Sequence, residues 1–218
     1  MPRFHDRNDA GRQLADLLAP EVTRTAVVLA LPRGGVAVAV PICERLNLPL
    51  DLALPRKIGH PGNPEFAVAA VGEQGAVVPD PAALAHLDPG WLGEAEAAAR
   101  TEARRRRDRY LGGAAPSTLR GHEALLVDDG VATGLTMRAA IKDVQAREAE
   151  RIVIAVPIIA DDTAQALEAE VDRVIAVWRP TSFLGAVGAY YEQFPQLTDS
   201  EVLRLLNAVR RHPSPVAP

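Results

Sequence analysis

Short unbroken apolar runs alternate along this chain with longer stretches in which apolar residues recur at helical spacing. Residues 8–19 read as an amphipathic helix, with Leu14, Leu17 and Leu18 on one side and Pro20 ending it. Residues 25–31 read as a strand, continuously apolar from Ala26, as suits a strand covered on both faces. The tight turn Pro32-Arg33-Gly34-Gly35 leads into a helix over 36–46. Pro41 inside that helix predicts a kink or a late start, because proline removes an N–H and crowds the preceding turn. Residues 50–54 form the next strand.

From Pro55 the rhythm loosens. Residues 56–65 contain two glycines and two prolines, which predicts a loop. Residues 66–71 and 76–78 predict a hairpin around 72–75. Helices are expected over 81–86 and 91–110, the second carrying Glu96/Arg100 and Glu102/Arg106 at the favourable i, i+4 spacing. Regular alternation then resumes, with strands over 124–127, 151–157 and 173–178 and helices over 136–147 and 162–170. Thr198-Asp199-Ser200-Glu201 is a capping box that opens a last helix to about residue 211. Repeated βα units predict an α/β fold, a parallel twisted sheet with helices on both faces and ligands at the strands' carboxyl ends. We expect one domain over 1–218, with 55–116 as an inserted arm and helical region.

Composition narrows the function classes. A chain of 218 residues, 48% hydrophobic, can bury the core of such a domain. A net charge of −4 argues against a nucleic-acid binder driven by bulk charge. The arginines at 104–107 and 109 read as a solvated, salt-bridged helix face, without the interleaved aromatics of a single-strand platform. The lone cysteine, Cys43, excludes an internal disulfide and a multi-cysteine zinc site, and reads as a small core residue. The five histidines are scattered, without metal-ligand spacing. No apolar stretch approaches the roughly 18 residues needed to span a bilayer, and the charged N-terminus lacks a signal-peptide apolar segment. Cytoplasm is therefore the expected location, and the Pro-rich tail over 212–218 is expected to fray.

The richest chemistry lies at 125–136. An apolar strand ends on Asp128 and Asp129, and a turn follows through Gly130, Val131, Ala132, Thr133, Gly134, Leu135 and Thr136 into a helix. Acidic residues favour strand-ending turns, but adjacent carboxylates repel. A vicinal diol supplies a reason for the pair, since each carboxylate can accept a hydroxyl hydrogen. The glycines allow close backbone approach, and the hydroxyls of Thr133 and Thr136 join the N–H groups of a helix start, which suits a phosphate. No Gly-Lys-Ser/Thr is present, so this is not a Walker P-loop. Arg33, Gly34 and Gly35 form a second anion site at the end of a buried strand, where Gly-Gly frees two N–H groups.

The apolar strand, Asp-Asp, short turn and Thr-Gly-x-Thr resemble the phosphoribosyl pyrophosphate (PRPP) signature of type I phosphoribosyltransferases. The resemblance implies that Asp128 and Asp129 hold the ribose hydroxyls and that 130–136 cradles the 5-phosphate. It implies a pyrophosphate loop at Arg33, Gly34 and Gly35, often with a strained or cis peptide, and a mobile arm for which Arg56, Lys57 and His60 are the candidates. Asp128, Asp129, Arg33 and Lys57 are then the catalytic set. A base would stack near Trp178 or Phe183, in a C-terminal hood over 178–211, with Tyr190, Tyr191 and Phe194 packing the last helix. The implied reaction moves ribose 5-phosphate from PRPP to a nucleobase-like nitrogen. Mg²⁺ would be held mainly through PRPP and water, with no dedicated protein metal site, in a homodimer. Glu65 and Glu73 are lesser candidates for a base near the acceptor. The alternatives are a PRPP-sensing regulator that contacts RNA through the Arg104–Arg109 face, and a phospho-acceptor receiver domain. The latter lacks a suitable late lysine, since Lys142 is the last in the chain.

Overall fold

The computed structural model describes residues 4–84 and 87–210, and the expected fraying of the tail lies outside them. In chain order the elements are α1 (Arg7–Leu18), β1 (Val27–Ala30), α2 (Gly34–Leu46) and β2 (Leu50–Leu52), then β3 (Arg56–His60), β4 (Asn63–Val71), β5 (Val78–Pro79), α3 (Pro81–Leu84) and α4 (Pro89–Leu111). They continue with β6 (Glu123–Val127), α5 (Leu135–Ala146), β7 (Arg151–Ile158), α6 (Asp161–Glu168), β8 (Arg173–Trp178), a 3₁₀ turn over Val187–Tyr190 and α7 (Asp199–Arg210).

Five strands form one parallel sheet in the order β2-β1-β6-β7-β8. Successive residues of its central strands face opposite layers, as strand geometry dictates. Val28, Ala30, Leu125 and Val127 pack with Leu14, Leu18, Ile42 and Val202 from α1, α2 and α7. Val27, Leu29, Ala124 and Leu126 pack with Met137, Ile141 and Leu167 from α5 and α6. Each fully buried leucine or isoleucine here contributes about 1.5–3 kcal/mol. Helices thus cover both faces, and Cys43 is buried in the first layer.

The chain also pairs its ends. Phe4 N–H donates to Tyr190 O (2.9 Å), and Phe4 O accepts from Glu192 N–H (2.8 Å). The expected capping box forms at α7, where Glu201 Oε2 accepts from Thr198 N (2.7 Å) and Thr198 Oγ1 from Glu201 N (3.3 Å).

Several local expectations are corrected. Helix α2 starts at Gly34, earlier than expected, and runs through Pro41. The segment 56–65 is not a loop. β3 and β4 pair as antiparallel strands from Arg56↔Val71, Lys57↔Ala70 and Ile58↔Ala69 to His60↔Asn63 at the turn, with register shifts around Gly59. The glycines and prolines mark the irregular end of a hairpin, where a missing N–H or an extra residue is tolerated. β4 pairs on its other edge with β5, so the expected 66–78 hairpin is one half of a three-stranded sheet. Ile58, Val68 and Val71 of that sheet pack under Trp91, Leu92 and Ala95 of α4.

A buried charge network ties this layer to the parallel sheet. Arg107 of α4 grips Glu73 (Nε to Oε1 2.7 Å, Nη2 to Oε2 2.7 Å) and reaches Asp51 Oδ1 at 3.2 Å. Asp51, at the middle of β2, also accepts from Ser117 N (2.9 Å) and Arg147 Nη2 (3.2 Å). Asp143 of α5 accepts from Gln74 N at 2.6 Å. The side chains of Arg107, Glu73, Asp51, Arg147 and Asp143 are all buried. The arginine cluster is therefore only partly the solvated face expected. Arg105 and Arg106 pair with Glu102, and Arg109 pairs with Asp199, but Arg107 points inward.

Candidate active site

β6 delivers Asp128 and Asp129 to the carboxyl edge of the sheet, between β1 and β7. Both are half-buried. Asp128 Oδ1 accepts from Asp129 N–H at 2.8 Å. Burial, and then the neighbouring Asp129, hold the Asp128 carboxyl well above the usual carboxylate range, against weaker opposing pulls from Arg7 and Lys57. Asp129 is also raised by burial, and Arg7 works against that rise.

The following turn is fastened to β7. Val131 N–H donates to Ile158 O (2.9 Å), Ala160 N–H donates to Val131 O (3.2 Å), and Thr163 Oγ1 donates to Ala132 O (2.7 Å). Gly134 takes a left-handed conformation (φ 77°) as the residue before α5, and among the described residues no side chain caps the helix. Its first-turn N–H groups are therefore free for an anion. Neither the Thr133 nor the Thr136 hydroxyl is engaged by another described residue. Asp128, Gly130 through Met137, Val187 and Lys57 line one cavity of about 180 Å³.

Pro32-Arg33-Gly34-Gly35 lies beside this floor, and the Pro32–Arg33 peptide is cis. Leu31 N–H donates to Val127 O at 2.8 Å, which binds the turn to β6. A Cβ on Gly34 would stand 1.8 Å from Asp129 Oδ2, and one on Gly35 would stand 2.5 Å from Val127 O. Gly35 N–H already donates to Leu31 O (3.0 Å), so the turn frees fewer N–H groups than the two expected. Gly35→Ala must displace backbone, and we expect a loss of about 1–3 kcal/mol of stability together with weaker anion binding. Urea denaturation and titration with pyrophosphate check both effects.

The other candidates separate. Because β3 is a strand, Arg56 and Lys57 face opposite sides. Lys57 enters the cavity, while Arg56 lies among Arg105, Arg106 and Glu102 of α4, where burial and like charge lower its pKa. His60 turns to the hairpin tip, where its Nδ1 accepts from Gly62 N–H (3.0 Å) and its ring lies 6.5 Å from Phe66. The charge of Arg33 bears on Tyr110 and Asp199, beside α4 and α7. Trp178 and Phe183 each pack on Tyr190, with ring centroids 5.1 Å apart. Tyr190, Tyr191 and Phe194 do not pack the last helix as expected. They join Phe4, Ala10 and Ile158, between α1 and the end of β7. Glu73, a candidate base, is occupied by Arg107. The Glu65 side chain lies outside the described residues.

Arg7 is the residue that sequence reasoning missed. Its Nε donates to Asp129 Oδ2 at 2.8 Å, its Nη1 donates to Pro195 O at 2.9 Å, and its guanidinium stacks 3.7 Å over Phe194. A signal was present. Arg7 falls on the same stripe of α1 as Ala10, Gly11, Leu14, Ala15 and Leu18, all buried. A cation on a buried stripe requires a buried anion.

An open parallel sheet whose middle strand ends in paired carboxylates, beside an uncapped helix start, defines an α/β protein with a polar cleft at the carboxyl edge of its sheet. The chain belongs to the phosphoribosyl transferase domain family, whose sequence profile matches residues 7–191. It is 44% identical to TT1426 of Thermus thermophilus, with a TM-score of 0.78 that covers 94% of this chain and 97% of that one. It is 41% identical over 213 residues to the Mycobacterium tuberculosis H37Rv protein provisionally named phosphoribosyl transferase Rv0571c. That alignment covers 97% of this chain but 48% of the relative, so the chain spans about half the length of the curated relatives it matches. Among the described residues no helix is long and apolar enough to cross a membrane.

Proposed function

We propose that this cleft binds PRPP and transfers its ribose 5-phosphate to a nitrogen of a nucleobase-like acceptor, releasing pyrophosphate. The observation that carries the reading is that Asp128, the 130–136 turn and Lys57 line a single cavity. A phosphate at the start of α5 meets the free N–H groups and the two threonine hydroxyls. The ribose then lies over Asp128 and Asp129, whose oxygens accept its hydroxyl hydrogens. Lys57 and the Gly34–Gly35 turn face the diphosphate.

In this reaction the acceptor nitrogen attacks the anomeric carbon as the carbon–oxygen bond to pyrophosphate breaks. Positive charge grows on the ribose and negative charge on the leaving group. The protein's contribution is positioning and electrostatic neutralisation. Among the described residues no three His, Cys, Asp or Glu side chains come together as a metal cage. The carboxylate pair fits a Mg²⁺ that arrives on the diphosphate and keeps its water, where it would neutralise the departing charge. Trp178 and Phe183, half-buried at and beyond the end of β8, are the flat surfaces that the sequence offers to an acceptor, and they belong to the wall that Tyr190 braces.

Calorimetry with PRPP and Mg²⁺, followed by a nucleobase panel read by pyrophosphate release, tests the proposal. We expect saturable binding and release with at least one base. No heat with PRPP would overturn the reading. Lys57→Met should raise KM for PRPP by roughly tenfold, as the loss of a charge-assisted contact does.

A further inference from the structure

The two aspartates are not equivalent. Asp128 opens into the cavity and has no direct cation partner among the described residues. Asp129 is held from three sides. Arg7 Nε takes its Oδ2, Tyr191 Oη donates to its backbone O at 2.6 Å, and the Gly34 backbone stands against the same carboxylate. Arg7 is itself fixed by Pro195 O and by the Phe194 ring. The Arg7 and Asp129 side chains are 10% and 16% exposed, so water screens the pair little.

Resting on the reading of the cleft as a PRPP site, we propose that Arg7 is a positioning residue, which fixes Oδ2 of Asp129 so that Oδ1 is left for a ribose hydroxyl. Arg7 does not touch the sugar. It acts through Asp129, and Phe194 acts through Arg7. A rotating Asp129 would offer the hydroxyl a poorer acceptor, and the cost would fall on substrate affinity. Chemistry at saturation would be largely spared, because the diphosphate and acceptor contacts lie elsewhere.

The test compares Arg7→Met, Arg7→Lys and Phe194→Leu with the unaltered protein. Calorimetry with PRPP and Mg²⁺ gives affinity, pyrophosphate release gives KM and kcat, and a thermal melt gives the folded fraction. Arg7→Met should weaken PRPP binding by about 10- to 100-fold, the range for losing a hydrogen bond to a charged group, with kcat within about threefold. Arg7→Lys keeps the charge without the planar fork and should recover part of the affinity. Phe194→Leu keeps an apolar side chain under the guanidinium and should raise KM by about threefold, since only the cation–π part of the contact is lost. It remains informative if Arg7→Met does not fold. An Arg7→Met protein that binds PRPP as tightly as the original, or an unmoved KM in Phe194→Leu, overturns the inference and leaves the PRPP reading standing. Absence of PRPP binding in the unaltered protein overturns both.

Discussion

Asp128→Asn is expected to make the protein more stable at pH 7 and to cripple PRPP binding. The Asp128 carboxyl is raised above its ordinary value, first by burial and then by Asp129. Well below pH 4 both the folded and the unfolded chain hold the proton, and the residue contributes nothing. As pH rises through the ordinary carboxylate range, the unfolded chain releases its proton while the folded one keeps it, so stability falls. The fall continues until the pH passes the raised folded value. Asparagine keeps the shape and removes that penalty. The expected gain is on the order of 1 kcal/mol, or ~2–4 °C for a chain of this size. The gap between variant and parent should widen from pH 4 toward neutrality. Melts across that range, with a gap that does not change, would count against the account. The same substitution removes an anionic acceptor for a sugar hydroxyl, which should cost about 10- to 100-fold in affinity. Asp128→Asn combined with Asp129→Asn should take binding below detection in calorimetry while the fold persists.

Arg107→Met is expected to be strongly destabilising although it lies outside the cleft. Glu73 and Asp51 are both buried around Arg107. Its removal strands two carboxylates away from water, leaving Asp51 with Arg147 and Glu73 without a cation. Breaking a buried pair in this way typically costs about 3–5 kcal/mol, far more than the pair's net worth against a well-packed apolar substitute. Chemical denaturation should show the midpoint falling accordingly. Glu102→Gln on the same helix touches the half-exposed pairs with Arg105 and Arg106, and should change stability by less than about 1 kcal/mol. A similar loss for both variants would mean that the network is not the fastening we describe.

The contrast between these helix faces shows what periodicity can and cannot reveal. The βα rhythm was readable because each sheet strand is apolar on both sides, so buried runs and turns announce themselves. The Asp-Asp turn was readable because unlike requirements, repulsion and burial, meet at adjacent positions. Arg107 was not readable, because an arginine among arginines looks like a solvated face until its partners arrive from residues 51 and 73. A loop over 56–65 would let Arg56, Lys57 and His60 act together. The strand geometry of β3 separates them and leaves Lys57 in the cavity. The aromatic residues 190, 191 and 194 escaped for a related reason. Their partners, Phe4 and Ala10, lie at the other end of the chain, and nothing in local spacing indicates that closure. Arg7 could have been found by asking why a charge occupies the inward stripe of an otherwise ordinary amphipathic helix.

The pairing of Phe4 with Tyr190 and Glu192, together with the grip of Arg7 on residues 129 and 195, has a bearing on biosynthesis. A nascent chain on the ribosome holds residues 129–136 before it holds Pro195, so the Arg7–Asp129 clasp is completed only after residue 195 has emerged. Ligands stabilise only the state that binds them. A ligand of the cleft would therefore stabilise chains that extend past residue 195 and give little help to shorter ones, which would be left to chaperones and proteases.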